Sequence, residues 1–125
     1  MGVRKALLDT NILIDYLAGL ASARAEVERY AMPAISIITW MEVMAGATPD
    51  DEQVRRDFLA TFLVLPLTME VAEHSSEIRR HRIPKLKLPD TIILATAQVE
   101  DRLLVTRNTR DFSAHDVDIR IPYRI

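Results

Sequence analysis

No cysteine occurs in the 125 residues. Disulfide bonds and thiolate metal sites are excluded at once, and the composition suits a reducing cytoplasm. Long apolar runs are missing too, with nothing near the roughly 18 consecutive apolar residues of a membrane-spanning helix. Arg4 and Lys5 are followed by only Ala6, Leu7 and Leu8 before Asp9, too short an apolar stretch for a secretory leader. There is no basic field either: 16 Lys and Arg stand against 18 Asp and Glu, so a nucleic-acid partner would need a local patch. Internal repeats, low-complexity segments and linkers are absent. With 49% apolar and 27% charged residues, the chain is expected to be one soluble cytoplasmic domain over residues 1–125, with no membrane partner.

What is present begins with KALLDTNILIDYL at residues 5–17. A short apolar run stops on the carboxylate of Asp9, Thr10 and Asn11 follow, and Ile12, Leu13, Tyr16, Leu17 and Leu20 then recur with helical period. A strand that ends on an acid and turns into a helix puts that acid at the carboxyl edge of a sheet, where open α/β folds keep their chemistry. The plainer alternative is that Asp9 or Asn11 only caps the helix.

The same reading predicts strands at residues 5–9, 34–38, 64–65 and 103–106, with a weak edge strand at 117–121. Helices are expected at 11–20, 22–31, from Thr39 to Gly46, 50–62, 68–82 and 90–101, with Pro84 and Pro89 bracketing a loop. Strands alternating with helices imply a short, mostly parallel central sheet in a three-layer α/β/α domain. Strand ends and helix starts then share one edge.

That edge collects acids. Asp9 ends the first strand, Glu42 falls in the first turn of the helix after the second, Asp90 opens the helix before the fourth, and Asn108 and Asp111 follow that strand. Each has a structural explanation of its own. Thr39 and Glu42 match a capping box, Asp90 suits a helix dipole, and Asn108 and Asp111 suit an Asx turn. None of these explains why every junction should send an acid to the same place. Gathered carboxylates repel one another, and an all-oxygen donor set suits Mg²⁺ or Mn²⁺, which polarise phosphoryl oxygens and activate water.

LLDTNILIDYL (7–17), SIITWMEVMAG (36–46), LPDTIILATA (88–97) and LLVTRNTRDF (103–112) together resemble the PIN-domain ribonucleases, in particular the VapC toxins of type II toxin–antitoxin pairs. The resemblance covers essentially the whole chain and implies a PIN-like fold and a Mg²⁺- or Mn²⁺-dependent endoribonuclease. Asp9, Glu42 and Asp90 would be its metal-binding catalytic acids, with Thr10, Asn11 and Thr106 in support. At the fourth acidic position many relatives carry aspartate where this chain has Asn108, while others carry the TRNxxDF form seen here; the resemblance leaves open whether Asn108 fills that position or Asp111 takes it over or acts through water. Thr91 stands where alanine is more usual. The resemblance also implies structured RNA such as tRNA as substrate, a homodimer, and inhibition by a VapB-like antitoxin.

Upstream of Asp90 lies a basic cluster of Arg79, Arg80, His81, Arg82, Lys85 and Lys87. Part of it suits a helix C-terminus. Arg82, Lys85 and Lys87, with Arg107 and Arg110, are the expected phosphate contacts, which position RNA rather than read it. His74, His81 and His115 have no ligand spacing. Trp40 is expected in the core. Ile12, Ile14, Leu17 and Leu20 with the 54–62 helix offer an apolar groove for a partner helix. Two other classes of function are an aspartyl phosphotransfer domain and an inactive RNA-binding module. The first wants a second acid two residues after Asp9, where this chain has Asn11; the second draws on Asn108 alone.

Overall fold

The computed structural model describes residues 4–113, 115–116 and 118–125. Its centre is a sheet of very short strands: β1 (Ala6–Leu8), β2 (Ala34–Ser36), β3 (Leu63–Leu65), β4 (Leu103–Val105) and β5 (Ile119–Arg120). They lie in the order β3-β2-β1-β4-β5, and every neighbouring pair is parallel. The chain builds outward from β1 to β3, then returns to place β4 and β5 on the other side of β1. The reversal leaves a crevice at the carboxyl ends of β1 and β4, the switch point of an open α/β sheet.

Alternation of side chains across the strands divides the core in two. Leu7, Ala34 and Leu104 face one way and pack with Ile93, Leu94 and Ala97 of α6 (Leu88–Val99), on which α5 (Met69–His81) lies. Ala6, Leu8, Ile35 and Val105 face the other. There they meet Ile12 and Leu13 of α1 (Thr10–Leu17), Val43 of α3 (Ile37–Ala45) and Leu59 of α4 (Glu52–Leu59). α2 (Ala21–Glu28) packs on α1. Because both faces are covered, the strands read as continuous apolar runs, as buried parallel strands do. This is the expected three-layer α/β/α domain. No helix of the described residues is long and apolar enough to cross a membrane.

Several boundaries differ from the sequence expectation. β2 ends at Ser36 rather than at residue 38, because the Ser36 hydroxyl accepts the Ile38 amide (3.0 Å) and starts α3 there. Thr39 is therefore inside the helix and Glu42 lies in its second turn, not its first, so the capping-box pairing does not form. α4 stops at Leu59, short of residue 62. α6 starts at Leu88 with Pro89 in its first turn, where a missing N–H costs nothing. The edge strand forms at Ile119–Arg120, while Val117 lies outside the described residues. The expected apolar groove is largely filled: Ile12, Leu17, Phe58, Leu59 and Phe62 belong to the core, and Tyr16 stacks on Phe58 at 4.5 Å. Trp40 is half-buried against the same cluster, with Arg56 over its ring.

β5 is an edge strand, and a buried carboxylate holds it. Arg120 donates two bonds to Glu26 of α2 (2.7 and 3.0 Å), and the Tyr30 hydroxyl donates a third (2.7 Å). Burial alone would raise the Glu26 carboxyl, but the bonds from Arg120 and Tyr30 bring it below its ordinary range. The bidentate fork also fixes direction. Arg120→Ala would leave Glu26 buried and unpaired, and urea unfolding should show a loss of about 2–4 kcal/mol. Arg120→Lys, a single point charge, should recover only part of it.

Candidate functional site

Asp9 caps α1 at the crevice, and it is buried. Its Oδ1 accepts the Thr10 amide (2.8 Å). Its Oδ2 accepts the Thr106 hydroxyl (2.8 Å) and the Asn11 amide group (3.3 Å). The cap is therefore real, yet it uses only one of the two carboxylate oxygens. Thr106, fully buried just after β4, also receives the Asn108 backbone N–H (3.1 Å) and the Asn11 side chain (3.2 Å). Hydroxyl and amide dipoles, rather than cations, hold Asp9.

From α1 the Thr10 hydroxyl reaches the second acid. It donates to Glu42 Oε1 (2.7 Å) and lies 2.9 Å from the Thr39 hydroxyl. Thr39, three residues before Glu42 on the same face of α3, is completely buried beneath this pair. Asp90 stands half-buried in the first turn of α6 and lines the crevice without a hydrogen bond among the described residues. Asn108 closes a turn: its Oδ1 accepts the amides of Arg110 (3.1 Å) and Asp111 (3.2 Å), and its Nδ2 donates to Asp111 Oδ2 (2.9 Å). The Asx reading of this segment is thus correct as geometry, and it leaves Asp111 Oδ1 without such a partner.

Two of the acids show the strain of this company. Burial, with the charges of Asp90 and Glu42 added, pushes the Asp9 carboxyl up to about 6, against the bonds from Thr106 and Thr10. Asp90 is raised by burial first, then by Glu42 and Asp111. Among the described residues no lysine or arginine forms an ion pair with Asp9, Glu42, Asp90 or Asp111. An uncompensated, all-oxygen set of carboxylates fits a hard divalent cation. As they stand, no three acidic side chains among the described residues are gathered tightly enough to share one ion.

Beside the acids opens a cavity of about 650 Å³, lined by Asn11, Asp90, Asn108 and Asp111 and rimmed by Lys85, Lys87 and Arg110. These three cations lie where phosphate contacts were expected. Arg82 and Arg107 are engaged otherwise. Arg82 donates to the Asp111 carbonyl (3.1 Å) and lies over the Phe112 ring, so it braces the turn instead of facing the cavity. Arg107 lines the cavity, but both its guanidinium bonds go to Asp15, so its charge is already neutralised. His74 pairs with Gln98 on the surface, away from the acids. Thr39, Asp15 and Arg124, which also lines the cavity, were not anticipated from the sequence. Only Thr39 had a visible signal, its helical spacing from Glu42.

The PIN domain family profile matches residues 6–118 of this chain. The chain belongs to the PIN domain family. Within it the protein is VapC-like: it is 31% identical over 112 residues to ribonuclease VapC10 of Mycobacterium tuberculosis, covering 85% of this chain and 84% of that protein. Among solved structures it is similar to a chain of a toxin–antitoxin complex from Klebsiella pneumoniae, at 47% identity and a TM-score of 0.88, covering 97% of this chain and all of that one. A chain of the DNA-bound VapBC complex of Salmonella typhimurium is 25% identical, with a TM-score of 0.75 over 94% of this chain and 98% of that one.

The raised Asp9 carboxyl makes this PIN domain less stable where its site is charged. The unfolded chain releases the proton near pH 3.8 and the fold only near 6. The contribution of protonated Asp9 is therefore whole below pH 3.8 and lost as pH rises through 6. Asp9→Asn should stabilise the metal-free protein by about 1–3 kcal/mol at pH 7.5 and by much less at pH 4. Chemical denaturation at the two pH values, in chelator, measures the difference.

Proposed function

We propose that this PIN domain is a Mg²⁺- or Mn²⁺-dependent endoribonuclease, the toxin of a type II toxin–antitoxin pair. The observation that carries the reading is the set of four carboxylates on one crevice, with no cation paired to them, in a VapC-like chain. The name of its Mycobacterium tuberculosis relative supports ribonuclease action, and the complexes in which its structural relatives occur support an antitoxin partner.

Asp9, Glu42, Asp90 and Asp111 would hold the metal, which when bound activates water and polarises the scissile phosphate. Asn108 serves by orienting Asp111, so Asp111 rather than Asn108 fills the fourth acidic position. Thr106 and Asn11 hold Asp9 Oδ2, and Thr10 holds Glu42, so the acids are placed before substrate arrives. Such preorganisation counts, since an ångström of misplacement can cost a hundredfold in rate. Lys85, Lys87 and Arg110 fix the sugar–phosphate backbone over the cavity. Their contacts carry no sequence code, which suits selection by shape, with structured RNA such as tRNA as the substrate class. Attack of water in line breaks the bond from phosphorus to the 3′ oxygen and leaves 5′-phosphate and 3′-hydroxyl ends.

Purified, partner-free protein incubated with bulk tRNA should cut it in Mg²⁺ and not in excess chelator. Asp9→Asn and Asp90→Asn should each lower cleavage by at least a hundredfold while the fold persists by circular dichroism. Undiminished cleavage in chelator, or by either variant, would overturn the metal-dependent reading. Asp111→Asn should be far more damaging than Asn108→Ser, and the reverse order would return the fourth position to Asn108.

A further inference from the structure

A carboxylate, a guanidinium and a phenol join the end of the chain to the crevice. Asp15 of α1 is buried, and Arg107 donates to both its oxygens. The Tyr123 hydroxyl adds a third bond to Asp15 Oδ2 (2.7 Å), across 108 residues of chain. The backbone N–H of Arg107 in turn donates to Asn11 Oδ1 (3.3 Å), and Asn11 donates to Asp9 Oδ2. One hydrogen-bonded path thus runs from Tyr123 to the acid at the centre of the site. Burial first, then the bond to Asp15, raises the Tyr123 phenol, so it stays a neutral donor throughout the working pH range.

The residue after Tyr123 is the one this path places. Arg124 lines the cavity with Lys85, Lys87 and Arg110. Unlike Arg107 it forms no ion pair or hydrogen bond with the described residues, and it is exposed. A long cation on an untethered tail would lose several rotors on meeting a ligand, which weakens each contact it makes. Anchoring the neighbouring residue removes part of that cost. Arg107 therefore gives its charge to Asp15, and Arg124 supplies the exposed charge.

We propose that Arg124 binds a backbone phosphate of the RNA, and that Tyr123, Asp15 and Arg107 are positioning residues that hold it at the cavity rim. The proposal rests on the ribonuclease reading of the same crevice and extends it to the chain's last segment.

The test is binding without cleavage: fluorescein-labelled bulk tRNA titrated with protein in chelator, by anisotropy, over a series of salt concentrations. Arg124→Ala should weaken binding about three- to tenfold and lower the salt slope by roughly 0.7–0.9, the share of one phosphate contact. Arg124→Lys should keep most of both, and Arg29→Ala, which removes a cation near the opposite edge of the sheet, should change neither. Tyr123→Phe keeps the ring and loses the anchor, so it should weaken binding to a similar extent. The double variant Tyr123→Phe/Arg124→Ala should be no worse than Arg124→Ala alone, because Tyr123 acts through Arg124. Wild-type affinity and slope in Arg124→Ala would overturn the proposal and leave the ribonuclease reading standing. Losses that multiply in the double variant would overturn the positioning role of Tyr123. If the wild-type protein binds no tRNA, both readings fall together.

Discussion

Asp9 is buried at the end of β1 with no cation beside it, and three more carboxylates stand on the same crevice. An isolated buried charge is costly, and real proteins meet that cost by pairing it, neutralising it or supplying hydrogen-bond donors. Here the donors are Thr106, Asn11 and the Thr10 amide. The bonds from Thr106 and Thr10 lower the Asp9 carboxyl but do not cancel burial and the charges of its neighbours. The result is an acid held in place and held under electrostatic strain. Much of the surrounding architecture follows from keeping that strain without collapse.

The first consequence is segregation of charge. Three arginines are directed to other acceptors: Arg107 to Asp15, Arg120 to Glu26, Arg82 to the Asp111 carbonyl. A guanidinium is planar and well suited to carboxylates, so one left without an acceptor would compete for other acids. Giving each a nearer acceptor prevents this. The Arg107–Asp15 and Arg120–Glu26 pairs thus staple the sheet to α1 and α2 and consume two positive charges. The cations left exposed, Lys85, Lys87, Arg110 and Arg124, line the cavity beside Asp90 and Asp111 without pairing to them.

Sequence made the centre of this arrangement readable and its supports much less so. The strand preceding Asp9, the helix after it and the apolar α6 follow from local periodicity, and strand–helix alternation is enough to bring Asp9, Glu42, Asp90 and Asp111 to one edge. SIIT at residues 36–39 shows where local reading fails. It offers two hydroxyls three residues apart around two β-branched residues, so local pattern suits a strand to Ile38 with a helix from Thr39 as well as a helix capped by Ser36. Packing decides, because the α3 start at Ser36 buries Thr39 beneath Thr10 and Glu42. Arg107 looked like a free basic residue because its partner, Asp15, is 92 residues away in sequence. Pairings of that length leave no local trace. This is why Arg107, one of three arginines expected to meet RNA, is a brace; Arg82 is another, held by the Asp111 carbonyl 29 residues on, while Arg110 lines the cavity as expected.

Asn108 makes contacts in its loop that an aspartate could not. Its two polar ends do different things: the carbonyl oxygen closes the turn by accepting the Arg110 and Asp111 amides, and the NH₂ group points the Asp111 carboxylate. An aspartate could close the same turn, since an Asx turn needs only an acceptor. It could not donate to Asp111, and it would set a second negative oxygen about 3 Å from Oδ2, where like charges force one group to hold a proton. In this loop, then, a single carboxylate with an amide to orient it is electrostatically better than two carboxylates side by side. The one carboxylate of the loop is then Asp111, which Asn108 orients and whose backbone Arg82 fixes.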